Sequence, residues 1–80
     1  MLNPKHNVER LDFELNSDFV ELNQLLKLVG ICTSGGAGKM LVASGEVRVD
    51  GEIETRKTCK IRAGQVVRYA NAEITITTAN

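Results

Sequence analysis

Residues 33–40 read TSGGAGKM: three glycines and a lysine beside a serine and a threonine. These residue types suit an anion. Glycines let backbone N–H groups approach a phosphate closely, and a lysine adds a point charge. The stretch does not satisfy the nucleotide-binding phosphate loop. That loop needs a glycine five residues before its Gly-Lys pair and a serine or threonine after the lysine. Thr33 and Met40 occupy those positions. The dinucleotide fingerprint fails too, because its third glycine would fall at Leu41. What remains is a helix start at Ser34, with Gly35, Gly36 and Lys39 beside it. Open N–H groups there can bind an anion, and a nucleic-acid backbone is an anion of that kind. No nucleotide hydrolysis, cofactor or metal requirement is expected.

A second basic feature lies at residues 56–62, RKTCKIR, where Arg56, Lys57, Lys60 and Arg62 occur with no acid among them. The formal net charge is +0, so the chain is no simple polycation. The charges are unevenly spread. Residues 1–26 hold Glu9, Asp12, Glu14, Asp18 and Glu21 against Lys5 and Arg10. Residues 27–72 hold eight bases, Lys27, Lys39, Arg48, Arg56, Lys57, Lys60, Arg62 and Arg68, against four acids. A local basic patch is therefore expected. Taken alone, the run fits a solvated charged face as well as a phosphate-binding edge.

Catalytic and metal chemistry find little support. Cys32 and Cys59 are 27 positions apart, with no CxxC and one histidine, His6, which is no zinc framework. Cys32 and Ser34 have no evident histidine partner for nucleophilic catalysis. The N-terminus lacks the apolar core and cleavage site of a secretory signal. An intracellular, cytoplasmic protein with reduced thiols is expected. No apolar run approaches the ~18–20 residues that span a membrane.

The elements that must position the basic residues follow from periodicity. Leu11, Phe13 and Leu15 alternate with charged residues, as in a half-buried strand. The spacing of Phe19, Leu22, Leu25, Leu26 and Val29 predicts a helix over 18–29, opened by Asp18 with Glu21 in a capping box and closed at Gly30. A second helix runs from Ser34 to Gly45. Its glycines at 36 and 38 each cost about 1 kcal/mol against alanine and must allow another backbone or a ligand phosphate to come near. Asp50-Gly51 is a tight hairpin signal. Two more strands follow, the first with Val67 and Tyr69 or Val66 inward, the second with Ile74 and Ile76 inward, joined by a turn near Asn71-Ala72. The expected core is Leu22, Leu25, Leu26, Leu41, Val47, Val49, Val67 and Ile76. Eighty residues, 42% apolar and 25% charged, make one small globular domain. Residues 1–8 read as a flexible N-terminus and residues 9–80 as the domain.

Residues 25–67, LLKLVGICTSGGAGKMLVASGEVRVDGEIETRKTCKIRAGQVV, resemble the alpha-L RNA-binding motif, named for the ribosomal small-subunit protein S-four. A leucine-rich helix ends in lysine and glycine, and Ser-Gly-Gly and lysine open a second helix. A Gly-x-Val-x-Val-Asp-Gly hairpin, a Thr-Arg-Lys stretch and a Gly-Gln before a closing strand follow in the family's order. As a free-standing domain the chain also resembles the short bacterial proteins of the YbcJ type. The resemblance implies an α+β fold: two short helices packed on a small bent, mostly antiparallel sheet, with the core motif over about 18–69. It implies structured RNA, ribosomal or transfer RNA, as partner of a monomeric, non-catalytic protein. Lys27, Ser34, Gly35, Lys39, Arg48, Arg56, Lys57 and Lys60 match family RNA-contact positions; Gly36 and Arg62 join them from the anion-site and charge arguments above. Lys57 replaces an arginine of many members, which removes a bidentate grip there. Scarce aromatics, two Phe, one Tyr and no Trp, disfavour base-stacking modules. A protein-interaction module whose basic patch meets an acidic partner is the alternative.

Overall fold

A computed structural model describes residues 8–79. The expected loose segment, and with it Lys5 and His6, lies outside them except for Val8. The chain runs through β1 (Glu9–Leu15), β2 (Val20–Glu21), α1 (Leu22–Leu28), α2 (Gly35–Ala43), β3 (Val47–Val49), β4 (Glu52–Ile53), β5 (Lys60–Ile61), β6 (Val66–Tyr69) and β7 (Ala72–Thr78). Five strands form one sheet in the order β1-β7-β6-β3-β4, and β2 pairs with β5 in a second, two-stranded sheet. All pairings are antiparallel except one: β1 lies parallel to β7, from Glu9 opposite Ala72 to Leu15 opposite Thr78. This is the expected α+β architecture, with the first and last long strands as neighbours.

Local chemistry explains most boundaries. Ser34 caps α2: its backbone is extended and its Oγ accepts the Ala37 N–H at 3.0 Å. Gly30, with φ of 88°, closes α1. There the N–H of Gly30 reaches the Lys27 carbonyl and that of Ile31 reaches Leu26, the paired bonds of a left-handed helix stop. Gly45, at φ 83°, follows α2 in the same left-handed conformation, its N–H donating to the Val42 carbonyl. Asp50 and Gly51, at φ 52° and 88°, make the hairpin turn between β3 and β4. Asp50 then binds across the sheet, where its carboxylate accepts the Val66 N–H at 2.9 Å and the Gln65 Nε2 at 3.3 Å. The last hairpin turns at Ala70, an alanine with φ of 53°, one residue earlier than the sequence suggests.

The start of α1 differs from expectation. The helix begins at Leu22, not Asp18; its N-cap is Glu21, and no side chain caps it. Backbone carbonyls do the work instead. The Leu22 N–H donates to Cys59 at 2.8 Å and the Asn23 N–H to Lys57 at 3.2 Å. Residues 57–59 thus satisfy the first free donors of the helix as it actually starts, and Val20 and Glu21 pair with Ile61 and Lys60 as strand.

One apolar cluster holds the helices to the sheet. It contains Leu15, Leu22, Leu25, Leu26, Val42, Val47, Ile61, Val67, Ile74 and Ile76. Leu41 and Val49, expected inside, are only partly buried against it, whereas Val42 and Ile61 are fully buried. Ile61 sits inside the basic run, so that run is anchored by a core side chain.

Candidate nucleic-acid interface

The α2 N-terminus is open. The N–H groups of Gly35 and Gly36 have no partner among the described residues, and Ser34 and Gly36 are exposed. A Cβ built on Gly36 would meet only the Ser34 Oγ, at 3.9 Å. Gly38 has the opposite role. It is buried, and a Cβ there would collide with the Asn23 carbonyl oxygen and lie 3.1 Å from the Asn23 Cα. Of the two glycines that needed a reason, Gly38 lets the two helices touch and Gly36 faces open space at the helix start.

Asn23 joins this opening to the basic run. It is 1% exposed. Its N–H donates to the Lys57 carbonyl at 3.2 Å, and its Nδ2 donates to the Gly35 carbonyl at 3.3 Å. The start of α2 and the 56–62 segment are therefore pinned to one side chain and its backbone. Sequence reasoning passed over Asn23. A polar residue among the leucines of a helix is the signal that could have marked it, because buried amides are retained where they bond.

Lys60 and Arg62 gather on Phe19. The Lys60 Nζ lies 4.9 Å from the ring centroid and the Arg62 guanidinium 5.6 Å, within cation–π range. Phe19, expected in the first helix, instead lies just before β2 and orients two cations of the run. Lys57 is exposed beside them, Lys39 is exposed on α2, and Lys27 is exposed in the last turn of α1, one turn beyond Asn23. In these positions their charges stay in water and available.

Arg56 is occupied. Its guanidinium grips Glu54 with Nε to Oε2 and Nη2 to Oε1, both 2.9 Å, and its backbone N–H reaches the same Oε2 at 2.9 Å. The guanidinium first, and the backbone N–H after it, hold the Glu54 carboxyl down at about 2. Glu54 and Arg56 are two apart in extended chain, so they share a side; that spacing was legible in the sequence and unused. Arg56 Nη2 also touches the Cys59 sulfur at 3.6 Å. Burial first, with the Glu54 charge reinforcing it, pushes the Cys59 thiol up, which favours its protonated form. Both cysteines are free.

Arg48 does not join the others. It alternates with Val47 and Val49, which face the helices, so it projects from the far side of the sheet. Asn23 thus ties the Ser34–Gly36 opening to Lys57, while Lys60 and Arg62 gather on Phe19. The fold ties Arg56 back and sends Arg48 elsewhere. Among the described residues no group of three or more His, Cys, Asp or Glu is placed to hold a metal ion, and no helix is long and apolar enough to cross a membrane.

A capped, glycine-opened helix start pinned beside a cation-bearing segment, on two helices over a mostly antiparallel sheet, is the arrangement of a small alpha-L domain. The family described as S4 domain matches residues 13–77, and the chain belongs to it. It is 51% identical over 57 residues to YbcJ of Escherichia coli (strain K12), covering 71% of this chain and 81% of that one. It is 34% identical over 53 residues to RlbA of Bacillus subtilis (strain 168), a probable ribosome maturation protein, covering 66% and 75%. The solution structure of YbcJ from Escherichia coli, which reveals an alpha-L motif involved in RNA binding, superposes with a TM-score of 0.63 at 40% identity over 96% of both chains.

Proposed function

We propose that the protein binds structured RNA, ribosomal or transfer RNA, as a non-catalytic cytoplasmic monomer whose single domain spans residues 9–80. The observation that carries the reading is Asn23, bonded at once to Gly35 and Lys57, because it sets open helix N–H groups beside exposed cations. Family membership and the RNA-binding motif of the YbcJ structure support it. An A-form minor groove offers phosphates and 2′-hydroxyls at its rims. Ser34 and the Gly35 and Gly36 N–H groups suit one phosphate, and Lys39, Lys57, Lys60 and Arg62 suit its neighbours. Recognition is then mostly of shape.

Gel-shift titration of ribosomal RNA fragments and a transfer RNA at three salt concentrations tests this. Four neutralised phosphates give a slope of log affinity against log salt of about −3 to −4, and Lys60→Ala with Arg62→Ala flattens it by roughly one to two units. Arg10, on β1 and paired with Glu73, is the charge-matched control. A signal insensitive to salt or to these substitutions sinks the reading. A co-purifying acidic protein that survives RNase would instead establish the interaction-module alternative.

A further inference from the structure

On the sheet face turned away from the helices, residues in register make a row. Arg48 stands directly opposite Arg68, Arg68 opposite Glu73, and Glu73 opposite Arg10. Directly opposed side chains start about 4.5–5.5 Å apart, and like charges so placed repel. Two acids near the arginine pair, Glu73 and Asp50, are engaged with other partners, and Glu46 borders the same cavity without a bond to either arginine. Glu73 meets Arg10, Nε to Oε1 at 3.4 Å. Asp50 accepts from Val66 and Gln65. Arg68 has no hydrogen-bond or ion-pair partner among the described residues, and Arg48 donates one N–H to the Gly51 carbonyl at 3.2 Å. That bond leaves the rest of its donor fork free.

A shallow cavity of about 410 Å³ lies here, lined by Glu46, Arg48, Gly51, Arg68 and Ala70. None of these residues lies in the α2 opening or the 56–62 run. We propose that Arg48 and Arg68 form a second phosphate-binding site, on the outer sheet face, for a separate segment of the same bound RNA. The proposal rests on the RNA-binding reading above and extends it. Two arginines converging on one cavity match a phosphodiester, whose oxygens accept from both forks. The bound anion also removes the repulsion between them. Glu46 opposes the anion, so the site holds a net single positive charge and is weak alone. It gains strength through linkage to the first contact. The arginine pair stands on the sheet face opposite the one that packs on the helices, so it presents a direction of approach different from that of the α2 opening. The ligand class is a folded RNA with two phosphate-bearing segments, as at a helical junction.

The test compares a ribosomal RNA fragment containing a junction with a short hairpin cut from it. Arg48→Gln with Arg68→Gln should weaken junction binding by about tenfold, the effect of one lost charge-assisted contact. It should flatten the salt slope by about one unit, leaving hairpin binding unchanged. Arg68→Lys should recover part of the loss, and Glu46→Gln should tighten junction binding. Melting curves confirm that each variant is folded. Junction binding by the double variant equal to wild type overturns the second site. So does an equal loss on junction and hairpin. If Lys60→Ala with Arg62→Ala weakens binding while the arginine pair is silent, only this site falls; if wild type binds neither RNA, the function reading falls with it. An effect of Arg68 confined to a co-purifying protein after RNase also overturns it.

Discussion

Alanine placed at Gly36 and at Gly38 should move stability in opposite directions, although the two positions are on one helix and two residues apart. At Gly38 the new methyl meets the Asn23 backbone. A backbone obstacle cannot rotate away, so the two helices must part. Overpacking of this kind costs about 1–3 kcal/mol, and the helix propensity of alanine returns about 0.5–1 kcal/mol. The difference spans about 0–2.5 kcal/mol, and the rigidity of the backbone obstacle sets the net loss at about 1–2 kcal/mol. For a domain of this size that lowers Tm by roughly 5–15 °C. At Gly36 nothing lies closer than 3.9 Å, so only the propensity gain remains. In a first turn that is at most about 0.5 kcal/mol, a rise of about 2–4 °C. Differential scanning calorimetry of both variants reads the sign directly. Parting the helices also strains the Asn23 bonds to Gly35 and Lys57, so Gly38→Ala should weaken RNA binding in gel shifts beyond its effect on folding. A Gly38→Ala protein that melts at or above wild type, or two shifts of the same sign, would refute the assignment of Gly38 to the helix crossing.

Leu26→Ala should cost about 2–5 kcal/mol in denaturant unfolding, close to the whole stability of about 3–5 kcal/mol open to so small a core; a change of a degree or two in Tm would contradict its full burial. Gly36→Val should weaken RNA binding more than it alters Tm, because the space it fills is outside the core. Glu54, ordinarily near 4.5 and held at about 2, contributes stability that is complete above its ordinary value and lost as pH falls through about 2. Glu54→Gln should therefore make the acid limb of the stability curve shallower between about 4.5 and about 2. The same change frees Arg56 and should tighten RNA binding, whereas an unchanged acid limb would mean that the ion pair does not persist in solution.

Features decided within a few residues were legible in the sequence. The Ser34 cap, the glycine stops at 30 and 45, the Asp50-Gly51 turn and the alternation in β1 and β7 each depend on local backbone geometry or on one buried face. The order of motifs likewise made the S4-type family and its basic residues readable. Tertiary structure decided the rest, because the partners are distant in sequence. Residues 57–59 supply the carbonyls that start α1, so a plausible capping box at Asp18 is never formed. The parallel match of β1 to β7 joins chain segments 63 positions apart in register. Nothing in a periodicity reports that neighbour. Whether a basic residue is available also depends on what faces it. Arg56 is held by Glu54, Lys60 and Arg62 lie over Phe19, and Arg48 emerges on the far face opposite Arg68. Residue type fixes the charge of an arginine, but only the fold determines whether a carboxylate, a ring, or another arginine stands next to it.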